Sequence, residues 1–112
     1  MQYRDLFRPI KINSVTFGNR IVMAPISTQF ASPEGFVTQQ LIDFLEERAK
    51  GGVGMIITGY AFVDNKLGKA TASQLGCHGD SVVPGLNALV ERIRPYGTKV
   101  FLQICHAGRQ AG

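Results

Sequence analysis

At 112 residues, with 45% apolar and 18% charged side chains, the chain is long enough for one modest hydrophobic core and too apolar for a disordered one. The formal net charge of +4 comes from basic residues scattered among acids, as in LEERAK, which excludes the dense basic patch of a nucleic-acid binder. No apolar run reaches the roughly 20 residues of a transmembrane helix, MQYRDLFRPI has no apolar stretch behind its charges as a secretory signal would, and two cysteines do not make a disulfide framework. A cytoplasmic protein without membrane or nucleic-acid partners is the expectation.

In chain order, PIKINSVTFGNR alternates Ile10 and Ile12 with polar neighbours, turns at Asn13 and Ser14, and resumes at Val15 and Phe17, predicting a β-hairpin. RIVMAP reads as a buried strand stopped by Pro25. Residues 26–37 are rich in Ser, Pro and Gly and read as loop. Thr38 can cap a helix whose Leu41, Leu45 and Ala49 recur at i, i+4 and i+8, with Ile42 and Phe44 widening that face. Gly51 and Gly52 end it. VGMIITG is an apolar run without alternation, as in strands covered on both faces. Residues 60–81 show no periodicity and read as one long loop. A second helix is expected from about Pro84 to Arg94, with Leu86, Leu89, Val90 and Ile93 on one face, ended by Pro95 and Gly97. KVFLQI closes the series as a third strand.

A hairpin followed by β, α, β, α, β implies right-handed βαβ units and a parallel sheet. Ligands of such sheets bind beyond the carboxyl ends of the strands, here residues 24–28, 58–60 and 103–109. Gln103 is the most telling residue on that rim. An amide offers a donor and an acceptor side by side, so it complements a ring edge that alternates C=O and N–H, such as a pyrimidine or the polar end of a flavin. Residue chemistry alone leaves equally open a Gln103 that bonds only to neighbouring backbone. Ala24 and Pro25 let backbone approach a planar ligand, and Ser27 offers a hydroxyl just past the strand, but a plain strand-to-loop turn would look the same.

The pairs Cys77-His78 and Cys105-His106 lack the spacing of zinc knuckles, and adjacent side chains on extended backbone diverge. No metal site and no catalytic residue is assigned. His106 reads as a hydrogen-bonded structural histidine and Arg109 as a partner for carbonyls or carboxylates. Neither G-x-G-x-x-G opening a helix nor G-x-x-x-x-G-K-[ST] occurs, and GGVG precedes a strand.

The ordered set LFRPIKI, GNRIVMAPIST, ERAKGGVGMIITG and FLQICHAGRQ resembles the N-terminal part of the Old Yellow Enzyme family of FMN-dependent (β/α)8-barrel oxidoreductases, over essentially the whole chain. The resemblance implies an α/β fold, residues 1–112 forming the N-terminal part of a TIM barrel: a hairpin, three parallel strands and two helices. It implies FMN as cofactor and NAD(P)H as reductant. Ala24, Pro25, Ile26 and Ser27 would line the isoalloxazine, with Ser27 near its N5 and C4-oxygen side, and Gln103 would bond the pyrimidine portion. Tyr60 stands where relatives pack a small residue near the flavin, and Gln29 where many place a substrate-facing tyrosine. A whole barrel takes about 250 residues. The substrate-anion pair, the proton-donating tyrosine, the phosphate site and any iron–sulfur cysteines are therefore expected outside this chain, which would need the remainder of the barrel or a second copy of itself against its open sheet edges. The other classes in view are a non-catalytic assembly module that binds no flavin, and an unrelated α/β protein that binds a nucleobase-like ligand.

Overall fold

Asn13 adopts a left-handed conformation (φ 51°), which asparagine tolerates better than most residues, and the chain reverses there into a two-residue hairpin. In this computed structural model, which describes residues 2–112, β1 (Ile10–Ile12) and β2 (Val15–Phe17) pair antiparallel, Ile10 opposite Phe17 and Ile12 opposite Val15. The chain continues through β3 (Val22–Met23), α1 (Gln39–Lys50), β4 (Met55–Ile57), β5 (Ala61–Phe62), α2 (Val83–Ile93), β6 (Lys99–Phe101) and β7 (Ile104–Cys105). Strands β3, β4 and β6 form a parallel sheet in that order, and β5 pairs parallel with β7.

The helices form where the apolar spacing and caps predict. Thr38 accepts the Leu41 amide at 3.2 Å, and Leu41, Ile42, Leu45 and Ala49 are buried. At the far end Gly52 rather than Gly51 takes the left-handed conformation (φ 96°). Pro84 lies in the first turn of α2, where its missing N–H costs nothing. The register of the sheet puts Met23, Ile56 and Val100 on one face, and all three join the core with Leu41, Leu45, Leu89 and Ile93.

The opposite face differs from the expectation of strands covered on both sides. Val22 and Phe101 are exposed there and Met55 and Ile57 only half-buried. Phe17 of the hairpin stacks on Phe101, ring centroids 6.0 Å apart, and covers part of this face. Helices on one side and an open apolar sheet face on the other make a curved wall. The radius of gyration, 15.0 Å, accordingly exceeds the roughly 13 Å of a compact chain of this length.

Two further expectations need correction. Residues 60–81 are not structureless, because Ala61–Phe62 forms β5 and residues 80–82 a 3-10 turn. KVFLQI is not one strand either: pairing stops after Phe101 and restarts at Ile104.

A polar clamp joins the helices on their outer side. Glu46 of α1 accepts from Arg92 Nη1 at 3.1 Å and from the Tyr96 hydroxyl at 2.9 Å. The Tyr96 bond, helped by Arg92, outweighs partial burial and holds the Glu46 carboxyl below its ordinary value. A carboxyl with a depressed folded-state pKa stabilises the fold above its unfolded pKa, and that contribution is lost as pH falls through the folded value. Thermal unfolding of Glu46→Gln should therefore match a weakened wild type near neutrality and converge on it in acid, below about pH 4. A constant difference from pH 7 to 3 would show that the ionised carboxylate contributes nothing.

Candidate functional site

The rim at the carboxyl ends of β3, β4 and β6 is assembled by backbone. The Thr58 amide donates to the Phe101 carbonyl at 2.9 Å, as a regular ladder would, but the next acceptor is a side chain: Thr58 Oγ1 takes the Gln103 amide at 3.3 Å. The Gln103 carbonyl then accepts from the Ala61 amide at 2.7 Å and pairing resumes as β5 with β7. Residues 58–60 thus stand opposite residues 102–103, one extra residue on the β4 side. Such a bulge bends the strand and re-aims the side chains beside it.

That bend decides the fate of Gln103. Its main chain is used on both sides, while its side chain is exposed and, among the described residues, engaged by no hydrogen bond. Both readings of Gln103 as a strand-interior residue and as an amide spent on neighbouring backbone are thereby corrected. The amide is presented at the rim with its donor and acceptor free.

The first strand end meets the second at Gly59. A Cβ there would lie 2.4 Å from the Ile26 carbonyl oxygen and 3.2 Å from Ser27 Cα, a clash with backbone that no rotamer relieves. Glycine is therefore what lets residues 24–27 fold over the end of β4. Ala24, Pro25, Ile26 and Ser27 are all exposed, Ile26 by 53%. An apolar surface of this kind beside a hydroxyl and a free amide suits one face of a planar, polar-edged ring. The space beneath these loops is about 20 Å³, enough for one water, so the open surface of the rim is its outer side.

Tyr60 is half-buried, and its carbonyl accepts from Gln74 Nε2 at 3.3 Å. Gln74, 2% exposed, also accepts the Ala70 amide at 2.7 Å, while Asp64 accepts the Lys66 and Leu67 amides at 2.7 Å each. Those two amides, Leu67 foremost, hold the Asp64 carboxyl below its ordinary value. The segment after β4 is thus folded by its polar side chains. Thr58 and Gln74 escaped the sequence reading, although a threonine closing the run MIIT was the available sign.

His106 accepts the Gly108 amide at Nδ1 (3.0 Å), the structural bond expected of it. Arg109 is exposed, and among the described residues it makes no ion pair or side-chain hydrogen bond, contrary to the expected pairing. Cys77 points its thiol at the Ala61 and Phe62 carbonyls, and burial pushes its pKa up, away from a nucleophilic thiolate. His78 instead stacks on Phe62, centroids 4.8 Å apart. No group of three potential metal ligands lies together among the described residues.

A parallel sheet with helices on one face fits part of a β/α barrel, a fold whose sites lie at the carboxyl ends of the strands. The profile of the NADH:flavin oxidoreductase / NADH oxidase family matches residues 5–112. The NADH oxidase of Thermoanaerobacter brockii is 44% identical over 108 residues, spanning 96% of this chain and 17% of that protein. A 2-naphthoyl-CoA reductase in complex with 2-naphthoyl-CoA superposes with a TM-score of 0.93 at 34% identity, over 98% of this chain and 17% of that one. The old yellow enzyme from Trypanosoma cruzi superposes with a TM-score of 0.87 at 28% identity, over 99% of this chain and 29% of that one. The chain belongs to the NADH:flavin oxidoreductase family, and its fold is part of an Old Yellow Enzyme barrel. It spans 10% to 17% of the length of the first curated relatives it matches.

Gly59→Ala tests the rim directly. The added methyl should cost about 1–3 kcal/mol in urea unfolding, and amide exchange should rise at residues 26–28 and 58–60 while α1 and α2 stay protected. Unchanged stability with unchanged exchange would mean that the two strand ends do not touch.

Proposed function

We propose that residues 1–112 form the N-terminal part of an FMN-binding, NAD(P)H-dependent oxidoreductase domain of the Old Yellow Enzyme type, acting on an activated alkene or similar small acceptor. The observation that carries this reading is the unengaged Gln103 amide on a rim shared with Ser27 and the exposed 24–26 segment. In this reading Ala24, Pro25 and Ile26 lie against one face of the isoalloxazine. Gln103 bonds its pyrimidine portion, donor to carbonyl and acceptor to N–H. The Ser27 hydroxyl sits at the N5 and C4-oxygen side. Tyr60 contributes through its backbone, whose carbonyl already accepts one bond from Gln74 and keeps a second lone pair. When bound, the flavin supplies hydride transfer through N5. The chain's own part is to hold one wall, orient the polar edge and keep water off the covered face.

Titration of the chain with FMN, followed by visible absorption, should give a saturable shift of the flavin band. Gln103→Ala should weaken binding about tenfold, the equivalent of roughly 1.4 kcal/mol. Absence of any shift would remove the claim that this chain carries a flavin half-site and favour the non-catalytic assembly module. Equal affinity of the variant would remove Gln103 from the site.

The same reading names the partner. Strands β3 and β6 are the edges of the three-stranded sheet, and Val22 and Phe101 leave apolar surface open on its uncovered face. Unpaired edges of this kind recruit other strands. The remainder of the barrel, or failing it a second copy, covers them. Sedimentation of the isolated chain should show mass rising with concentration, and a monomer throughout would contradict self-association.

A further inference from the structure

Gln29 holds a left-handed backbone conformation (φ 59°), uncommon for a residue with a side chain and costly unless its surroundings enforce it. The enforcement is a three-way clip. Gln29 Oε1 accepts the Ser73 amide at 3.1 Å, while Nε2 lies 2.6 Å from Thr71 Oγ1 and 3.3 Å from Ser27 Oγ. The Ser73 N–H can only donate, so it fixes which end of the amide is oxygen. Nε2, whose lone pair is delocalised into the carbonyl, can only donate too. Its two protons therefore go to the two hydroxyl oxygens, and Ser27 Oγ is the acceptor in its bond with Gln29.

We propose that Gln29 is a positioning residue that sets the polarity of Ser27: by occupying a lone pair of the Ser27 oxygen, it leaves the hydroxyl proton free to donate outward, to an acceptor atom of the ligand on the rim. The inference rests on the flavin reading for the identity of that acceptor, the N5 and C4-oxygen edge of the ring. The polarity itself follows from this chain's own atoms. The same clip ties the loop after β3 to residues 71–73 of the loop after β5, so the hydroxyl is held between two segments. A tyrosine at this position could not reproduce the clip, because a phenol has one proton and Gln29 donates to both Thr71 Oγ1 and Ser27 Oγ while accepting from Ser73.

The test has a part without flavin. In NMR spectra of the 15N-labelled chain, Ser27→Ala should shift one Gln29 Nε2 proton upfield and speed its exchange about tenfold, and Thr71→Val should do the same to the other. A Gln29 side chain indifferent to Ser27→Ala overturns the proposal. In the second part FMN is titrated into Ser27→Ala, Gln29→Glu and the double variant. A carboxylate at 29 still accepts from Ser73 but draws the Ser27 proton inward. Gln29→Glu should then weaken FMN binding about as much as Ser27→Ala, keep Ser73 amide protection, and add nothing in the Ser27→Ala background. An equal loss in both backgrounds overturns the proposal, because Gln29 then acts by charge and not through Ser27. If the Gln29 protons respond as expected while no variant or wild type binds FMN, the flavin reading falls and the polarity of Ser27 stands.

Discussion

A single hydroxyl, that of Thr58, determines where the sheet stops being a sheet. Its backbone amide completes the β4–β6 ladder at Phe101, and its side chain then takes the Gln103 amide that a third main-chain carbonyl would otherwise accept. With the Gln103 amide on a side-chain oxygen instead of a ladder carbonyl, three residues, 58–60, stand opposite two, 102–103. Everything distinctive about the rim follows. The chain bends, Gln103 turns its amide outward, and Gly59 is brought against the Ile26 carbonyl. Thr58 is 2% exposed, so its hydroxyl has no water to compete for it and the bond is made in a medium that strengthens it. A buried polar atom that would be a liability in a plain barrel strand here produces the geometry of the site.

Much of this fold was legible in the sequence, and the reasons are local. The Thr38 cap, the 41–45–49 spacing and the Gly-Gly stop specify α1 from within one segment, and Asn13-Ser14 specify the hairpin in the same way. The order of strands and helices follows from alternation of such segments. What escaped depends on partners distant in sequence. Ala61–Phe62 is a strand only because Ile104–Cys105 lies beside it, and two residues carry no period. Gln74 and Asp64 look like ordinary polar loop residues until their side chains are seen satisfying the amides of residues 66, 67 and 70. Gln103 was recognised as special from its neighbours Phe101 and Ile104, yet its exposure could not be read from them, since the bulge that exposes it is written in Thr58.

The rim also shows how a site gains precision on loops. Ordinary loops are mobile because few groups hold them. Here the segments after β3 and β4 are pinned at Gly59, where backbone meets backbone, and at Gln29, where one amide serves three partners. Strain at Gln29 and the missing Cβ at Gly59 both lower the intrinsic stability of those turns, a cost of about 1 kcal/mol or more at each. Both sit at the rim, whereas the α1–α2 clamp at Glu46 and the core around Ile56 lie on the helix side of the sheet. Stability is concentrated behind the wall and geometry in front of it.

That separation explains how the rim keeps its geometry while the other face of the sheet stays open. The helix side of the sheet is closed by Met23, Ile56 and Val100 against both helices, so the strand ends are fixed without help from the uncovered face. On that face Val22 and Phe101 remain 49% and 41% exposed, so part of the roughly 1.5–3 kcal/mol that full burial of such a side chain is worth is still to be gained when something covers them. The hydrophobic drive to complete the barrel thus acts on a surface that does not include Gln29, Ser27 or Gly59. Covering it adds walls around the rim without having to rebuild the rim itself.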